Sequence, residues 1–244
     1  MNKIASMITE DFEFISHRAD ENTVKSLVFL LHGYGVNAQF MSKMAANILA
    51  ELPNSLVLSV QAPEIMSVPA QEQRNELIVP LPDEADNVPL GMSKQDQRSW
   101  FKVGKDPKQM HDVIYEVGQK LNIFIDKKRD EYGLSDGDIA VMGFSQGGAV
   151  AFYSACTRER PIGCVVGHST IVIDTEGFKT KLPAMLVYGG SDQTFSVPEY
   201  QQRSVMPLKQ FLPDIDVKEI ANLSHTTTPE SRAIVADYIR SNLA

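Results

Sequence analysis

The chain has 244 residues, 43% of them hydrophobic, a size and composition that predict a single packed globular domain over 1–244. Its 31 acidic against 23 basic side chains give a formal charge of −8, which repels phosphate backbones and anionic bilayers and excludes nucleic acid as an expected partner. No stretch reaches the roughly 18 apolar residues of a membrane span, and residues 1–30 lack a basic start followed by an apolar signal core, so a cytoplasmic protein without stable membrane insertion is expected.

In chain order, 12–16 reads as an antiparallel edge strand with its turn over 19–22, followed by a β-branched, apolar run at 27–31. Helical spacing over 41–52 leads to a second buried run at 56–60. The segment 63–98 breaks the alternation: it carries Pro63, Pro69, Pro80, Pro82 and Pro89, shows neither period, and still holds Leu77, Ile78, Val79 and Leu81. A loop this long in a compact domain is usually functional, and its apolar side chains need a surface to cover, so it is expected to be a lid-like insertion. The alternative is that it patches the core or a homodimer contact. After it, helical stretches at 107–132, 148–157, 198–212 and 229–243 alternate with strand-like runs at 139–142, 164–167, 184–188 and 217–220. Strand-helix alternation of this kind predicts an α/β fold with a mostly parallel central sheet and helices on both faces. Cys156 and Cys164 have apolar neighbours and read as buried structural thiols in a reducing compartment.

The residues that carry chemistry begin with Gly143-Phe144-Ser145-Gln146-Gly147, between a strand-like run and a helix-like one. That context describes a sharp turn presenting a serine hydroxyl, with glycines where strand and helix approach too closely for side chains. The Gln146 N–H, at the positive end of the following helix, is expected to form half of an oxyanion hole. Because that donor is a backbone group, the Gln146 side chain is expected to be dispensable. A hydroxyl needs a base and a carboxylate to orient that base, in the chain order Ser, acid, His. Asp192, after the run 184–188 and Gly189-Gly190-Ser191, and His225, after the run 217–220, satisfy that order. His168 has only Glu159 between it and Ser145, in a linker, and suits the role poorly. The second oxyanion donor is expected from the Tyr34 N–H in His32-Gly33-Tyr34-Gly35, with His32 orienting the loop. No metal-ligand spacing exists among five histidines and two cysteines, so no metal is expected.

Together with Arg98-Ser99-Trp100-Phe101 and Tyr188-Gly189-Gly190-Ser191-Asp192, these motifs resemble the phospholipase/carboxylesterase group of α/β hydrolases, whose best-known members are acyl-protein thioesterases. The resemblance runs over nearly the whole chain. It implies an α/β-hydrolase fold and a cofactor-free serine esterase or thioesterase acting on acyl esters, lysophospholipids or acylated protein. It also places Trp100 and Phe101 near the rim of the site, with Leu77 and Ile78 of the insertion beside the acyl chain. The chain departs from the group in having Tyr188 where His is common, and in delaying the proline after Asp192 to Pro198. Competing readings are a silent hydrolase-fold binding protein, which would normally have lost a triad member, and a peptidase or dienelactone-type hydrolase, of which the latter usually has cysteine as nucleophile.

Overall fold

In a computed structural model that describes residues 12–65, 96–102 and 106–243, the apolar runs become strands β1 (Phe14–His17), β2 (Ser26–Leu31), β3 (Ser55–Val60), β6 (Ile139–Phe144), β7 (Cys164–His168), β8 (Ala184–Gly189) and β9 (Asp216–Ile220). They form one sheet in the order β1-β3-β2-β6-β7-β8-β9. Every neighbouring pair is parallel except β1 with β3, where Phe14 sits opposite Val60 and His17 opposite Val57. Two short strands, β4 (Glu64–Ile65) and β5 (Arg98–Ser99), pair antiparallel with each other.

The helices are α1 (Ser42–Glu51), α2 (Pro107–Glu131), α3 (Gln146–Cys156), α4 (Val197–Tyr200), α5 (Met206–Phe211) and α6 (Pro229–Asn242). Their starts are encoded locally. Asp106 accepts from the Lys108 N–H, with Pro107 at the first helical position, and Thr228 and Ser231 cap each other ahead of α6. The expected helix over 198–212 is one helical stretch interrupted by a π turn at Gln201–Val205, across which the Met206 N–H reaches the Gln201 carbonyl. Pro207 accounts for this, because its ring cannot tolerate the carbonyl four residues back in an α-helix and has no N–H to donate.

Strand β2 is buried along its length, so its alternation decides which side chains face which layer. Leu27, Phe29 and Leu31 join a core with Ile114 and Leu121 of α2 and Val150 and Phe152 of α3. Val28 and Leu30 join a second core with Met44 and Ile48 of α1 and Val235 and Ile239 of α6. The sheet is therefore covered on both faces, as the parallel pattern requires. Cys156 and Cys164 are buried free thiols, one in each layer.

The expected insertion falls mostly outside the described residues, which is also where Leu77 and Ile78 lie. Its flanks are described: β4 and β5 join the two ends, with Glu64 opposite Ser99 and Ile65 opposite Arg98. Among the described residues no helix is long and apolar enough to cross a membrane.

Candidate active site

Ser145 stands between β6 and α3 with φ 51° and ψ −119°, a backbone conformation that costs a non-glycine residue about 1–3 kcal/mol. The surrounding glycines permit the turn. A Cβ on Gly143 would lie 2.1 Å from the Gly147 carbonyl oxygen, and one on Gly147 would lie 2.5 Å from the carbonyl oxygens of Leu31 and His32. The strand-to-helix crossing thus has no room for side chains at either position.

The parallel order of β6, β7, β8 and β9 carries the other two groups, Asp192 after β8 and His225 after β9, to the same edge of the sheet. His225 Nε2 lies 3.0 Å from Ser145 Oγ, and His225 Nδ1 lies 2.8 Å from Asp192 Oδ2. Asp192 is saturated with donors: its Oδ1 accepts from the amides of Thr194 (2.7 Å) and Phe195 (3.1 Å), and its Oδ2 also accepts the Tyr200 hydroxyl at 2.6 Å. Burial opposes ionisation of this carboxyl, yet hydrogen bonds from His225, Tyr200 and the Phe195 amide outweigh it and hold the carboxyl below its ordinary range. Phe144 and Phe195 pack against the His225 ring, with centroids at 5.1 and 5.5 Å.

The loop carrying Tyr34 runs beside the serine, since a Cβ on Gly33 would be 3.4 Å from Ser145 Cβ. His32 braces it. Its Nε2 accepts the Ala62 N–H at 3.1 Å, which leaves Nδ1 as the donor to the Gly33 carbonyl at 2.7 Å. Complete burial pushes the His32 pKa down to about 4, against the pull of the Gly33 carbonyl, so the ring is neutral at pH 7. Helix α3 begins at Gln146, and the positive end of its dipole faces the serine.

A strut joins these two halves. Strand β5 is bonded to the loop through Gly35 N–H to the Arg98 carbonyl and Arg98 N–H to the Val36 carbonyl, both at 3.0 Å. Trp100 Nε1 donates to the His32 carbonyl at 2.7 Å. On the other side Gln146 Oε1 accepts the Trp100 N–H at 2.9 Å, and Gln146 Nε2 donates to the Phe101 carbonyl at 2.8 Å.

The Gln146 side chain clamps the main chain of Trp100 and Phe101. Those two aromatic residues are 0% and 3% exposed and join the core. Tyr200 was not foreseen at all, since a tyrosine eight residues past the acid belongs to no motif. The glutamine beside Ser145 did carry a signal, a polar side chain at the start of a buried helix that needs partners. Among the described residues no cluster of three or more His, Cys, Asp or Glu side chains is arranged to hold a metal ion.

The phospholipase/carboxylesterase family profile matches residues 61–243, a span that contains Ser145, Asp192, His225 and the Arg98–Ser99 strand. Acyl-protein thioesterase 1 of Emericella nidulans is 28% identical over 160 residues, covering 58% of this chain and 66% of that protein, just under two thirds of its length. The solved structure of the esterase PE8 superposes with a TM-score of 0.73 at 19% identity, covering 96% of this chain and 100% of that one. Arabidopsis thaliana SOBER1 superposes at 0.71 with 20% identity, covering 91% and 100%. At such identities the structural likeness establishes the fold, while the profile match over three quarters of the residues establishes the kinship. The chain belongs to the phospholipase/carboxylesterase family of α/β hydrolases.

Proposed function

We propose that this protein is a serine hydrolase that cleaves carboxylic ester or thioester bonds through an acyl-enzyme. The single observation carrying the reading is the in-line set Asp192 Oδ2, His225 and Ser145 Oγ, with links of 2.8 and 3.0 Å, ending on a serine held in a strained turn. In the acylation step His225 Nε2 takes the Ser145 proton as Oγ bonds the acyl carbon. The carbonyl oxygen becomes an oxyanion facing the Tyr34 and Gln146 amides. The imidazolium then returns its proton to the departing alcohol or thiol as the tetrahedral centre collapses. In deacylation a water gives a proton to His225 and its oxygen bonds the acyl carbon. Collapse releases the carboxylic acid and restores the Ser145 hydroxyl with the proton from His225. Asp192 stays anionic throughout and orients the ring.

The substrate class is an acyl ester, lysophospholipid or acylated protein, in keeping with the thioesterase name of the Emericella relative and with a net charge that calls for no polyanion. No cofactor takes part in these steps. A fluorophosphonate should label Ser145, identified by peptide mass, and Ser145→Ala should lose about four to six decades of turnover while melting like the parent. A panel of 4-nitrophenyl esters beside an acyl thioester and a lysophospholipid identifies the acyl donor. Labelling that survives in Ser145→Ala refutes the assignment.

A further inference from the structure

Among the described residues only two non-glycine residues have positive φ, Ser145 and Ser169, each at 51°. They stand at successive crossings of the same sheet edge, the first after β6 and the second after β7, and the Ser145 N–H donates to the His168 carbonyl at 2.8 Å. Strain of this kind persists where the surroundings demand a side chain in one place. For Ser145 that place is the candidate site. Ser169 has a different partner. Its hydroxyl lies 3.1 Å from His168 Nδ1.

Tyr200 donates to Asp192 Oδ2 at 2.6 Å, the same oxygen that faces His225 Nδ1. Its ring is fully buried, stacked on Tyr188 at 4.6 Å and 22°, and edge-on to Phe195, which also packs on His225. The turn that presents it is set by a Ser196 and Glu199 capping box. A buried line of hydrogen bonds therefore runs from Tyr200 through Asp192 and His225 to Ser145. Resting on the triad reading above, we propose that Tyr200 is a positioning residue that fixes the Asp192 carboxylate and moderates its pull on the His225 imidazolium.

The argument is one of competing donors. A short hydrogen bond donated to Oδ2 stabilises the carboxylate and draws density away from the imidazole, as charge-assisted bonds do. Burial and the adjacent Asp192 charge raise the Tyr200 pKa, so the phenol keeps its proton and stays a donor. The charged and titratable groups facing this line are Asp192 itself, His168 on β7, Glu199 and Arg203 near α4, and Arg232 on α6. His168 is pushed down to about 3 by burial and by its neighbour His225, so it does not titrate between pH 5 and 8.

Two variants of the full chain test this, each measured as a pH profile of kcat/KM on a 4-nitrophenyl ester, with melting temperature and fluorophosphonate titration of Ser145. Tyr200→Phe should lower kcat about tenfold with KM within about twofold, and should move the acid limb up by roughly half a pH unit, because an unshared carboxylate holds imidazolium more tightly. Tyr188→Phe, the stacked neighbour whose hydroxyl bonds Gln201 and Glu219, should leave the limb in place. An acid limb unmoved in Tyr200→Phe, or moved equally by Tyr188→Phe, overturns the positioning role while leaving the triad reading intact. A wild-type protein that neither labels at Ser145 nor hydrolyses esters sinks both.

Discussion

The side chain of Gln146 grips the main chain of Trp100, accepting its N–H at 2.9 Å while donating to the next carbonyl at 2.8 Å, and Trp100 reaches across to the His32 carbonyl. Two segments that flank Ser145 from different parts of the chain are thereby held at a set spacing. The proposed oxyanion donors, Tyr34 and Gln146, sit at the ends of this strut. Their separation depends on it.

Gln146→Ala should therefore do more than trim a surface polar group. It leaves the Trp100 N–H without its partner and takes from the Phe101 carbonyl one of its two donors, the other being the Ser99 hydroxyl, a loss of about 2 kcal/mol or roughly thirtyfold in kcat/KM. The drop should be the same for acetyl and longer acyl esters, since the spacing of the donors rather than the acyl pocket changes. Steady-state kinetics on both, alongside thermal melting, check it. A variant within twofold of wild type on every ester would show the strut to be incidental.

Stability should fall as pH drops from neutral towards 4. The sign follows from His32 and His168, which burial lowers from 6.5 to about 4 and about 3. Below pH 6.5 the unfolded chain gains protons at both rings and the folded chain does not, so the unfolded state is favoured increasingly until the folded values are reached. Two such groups give a slope of at most about 2.7 kcal/mol per pH unit. Asp192 acts in the same sense at lower pH, because its depressed carboxyl contributes stability above its ordinary 3.8 that is lost as pH falls through its folded value. Urea midpoints from pH 7 to 5 should show the histidine slope, and His168→Gln should remove about half of it; a flat profile in wild type contradicts the buried neutral rings.

The insertion at 63–98 should set acyl-chain preference. Its flanks are joined at β4 and β5, and β5 runs directly into Trp100 and the Gln146 clamp beside Ser145. Replacing Leu77, Ile78, Val79 and Leu81 with Ser should change the ratio of kcat/KM for long against short acyl esters, with little change in melting temperature. Losses that are equal for all chain lengths and track the melting temperature would assign these side chains to core packing.

Much of the molecule is legible in one dimension because its causes are local. Apolar runs spaced by helical stretches require a parallel sheet with both faces covered, and the sheet has that form. The glycines around Ser145 are readable for the same reason, since the collision they avoid is between residues four apart. The order Ser145, Asp192, His225 follows from parallel strands delivering their ends to one edge, where the three side chains lie within hydrogen-bond reach. Other features carry no local period. A continuous apolar run such as Ser26–Leu31 does not say that Phe29 faces α2 and α3 while Leu30 faces α1 and α6, because both faces are equally apolar. Trp100 lies in the core with hydrogen bonds supplied by His32 and Gln146, 68 and 46 residues away. The placement of Tyr200 on Asp192 was likewise decided only in three dimensions, by a turn that folds back over the acid. Such pairings bring together groups whose separation along the chain bears no relation to their distance in space, and only packing selects them.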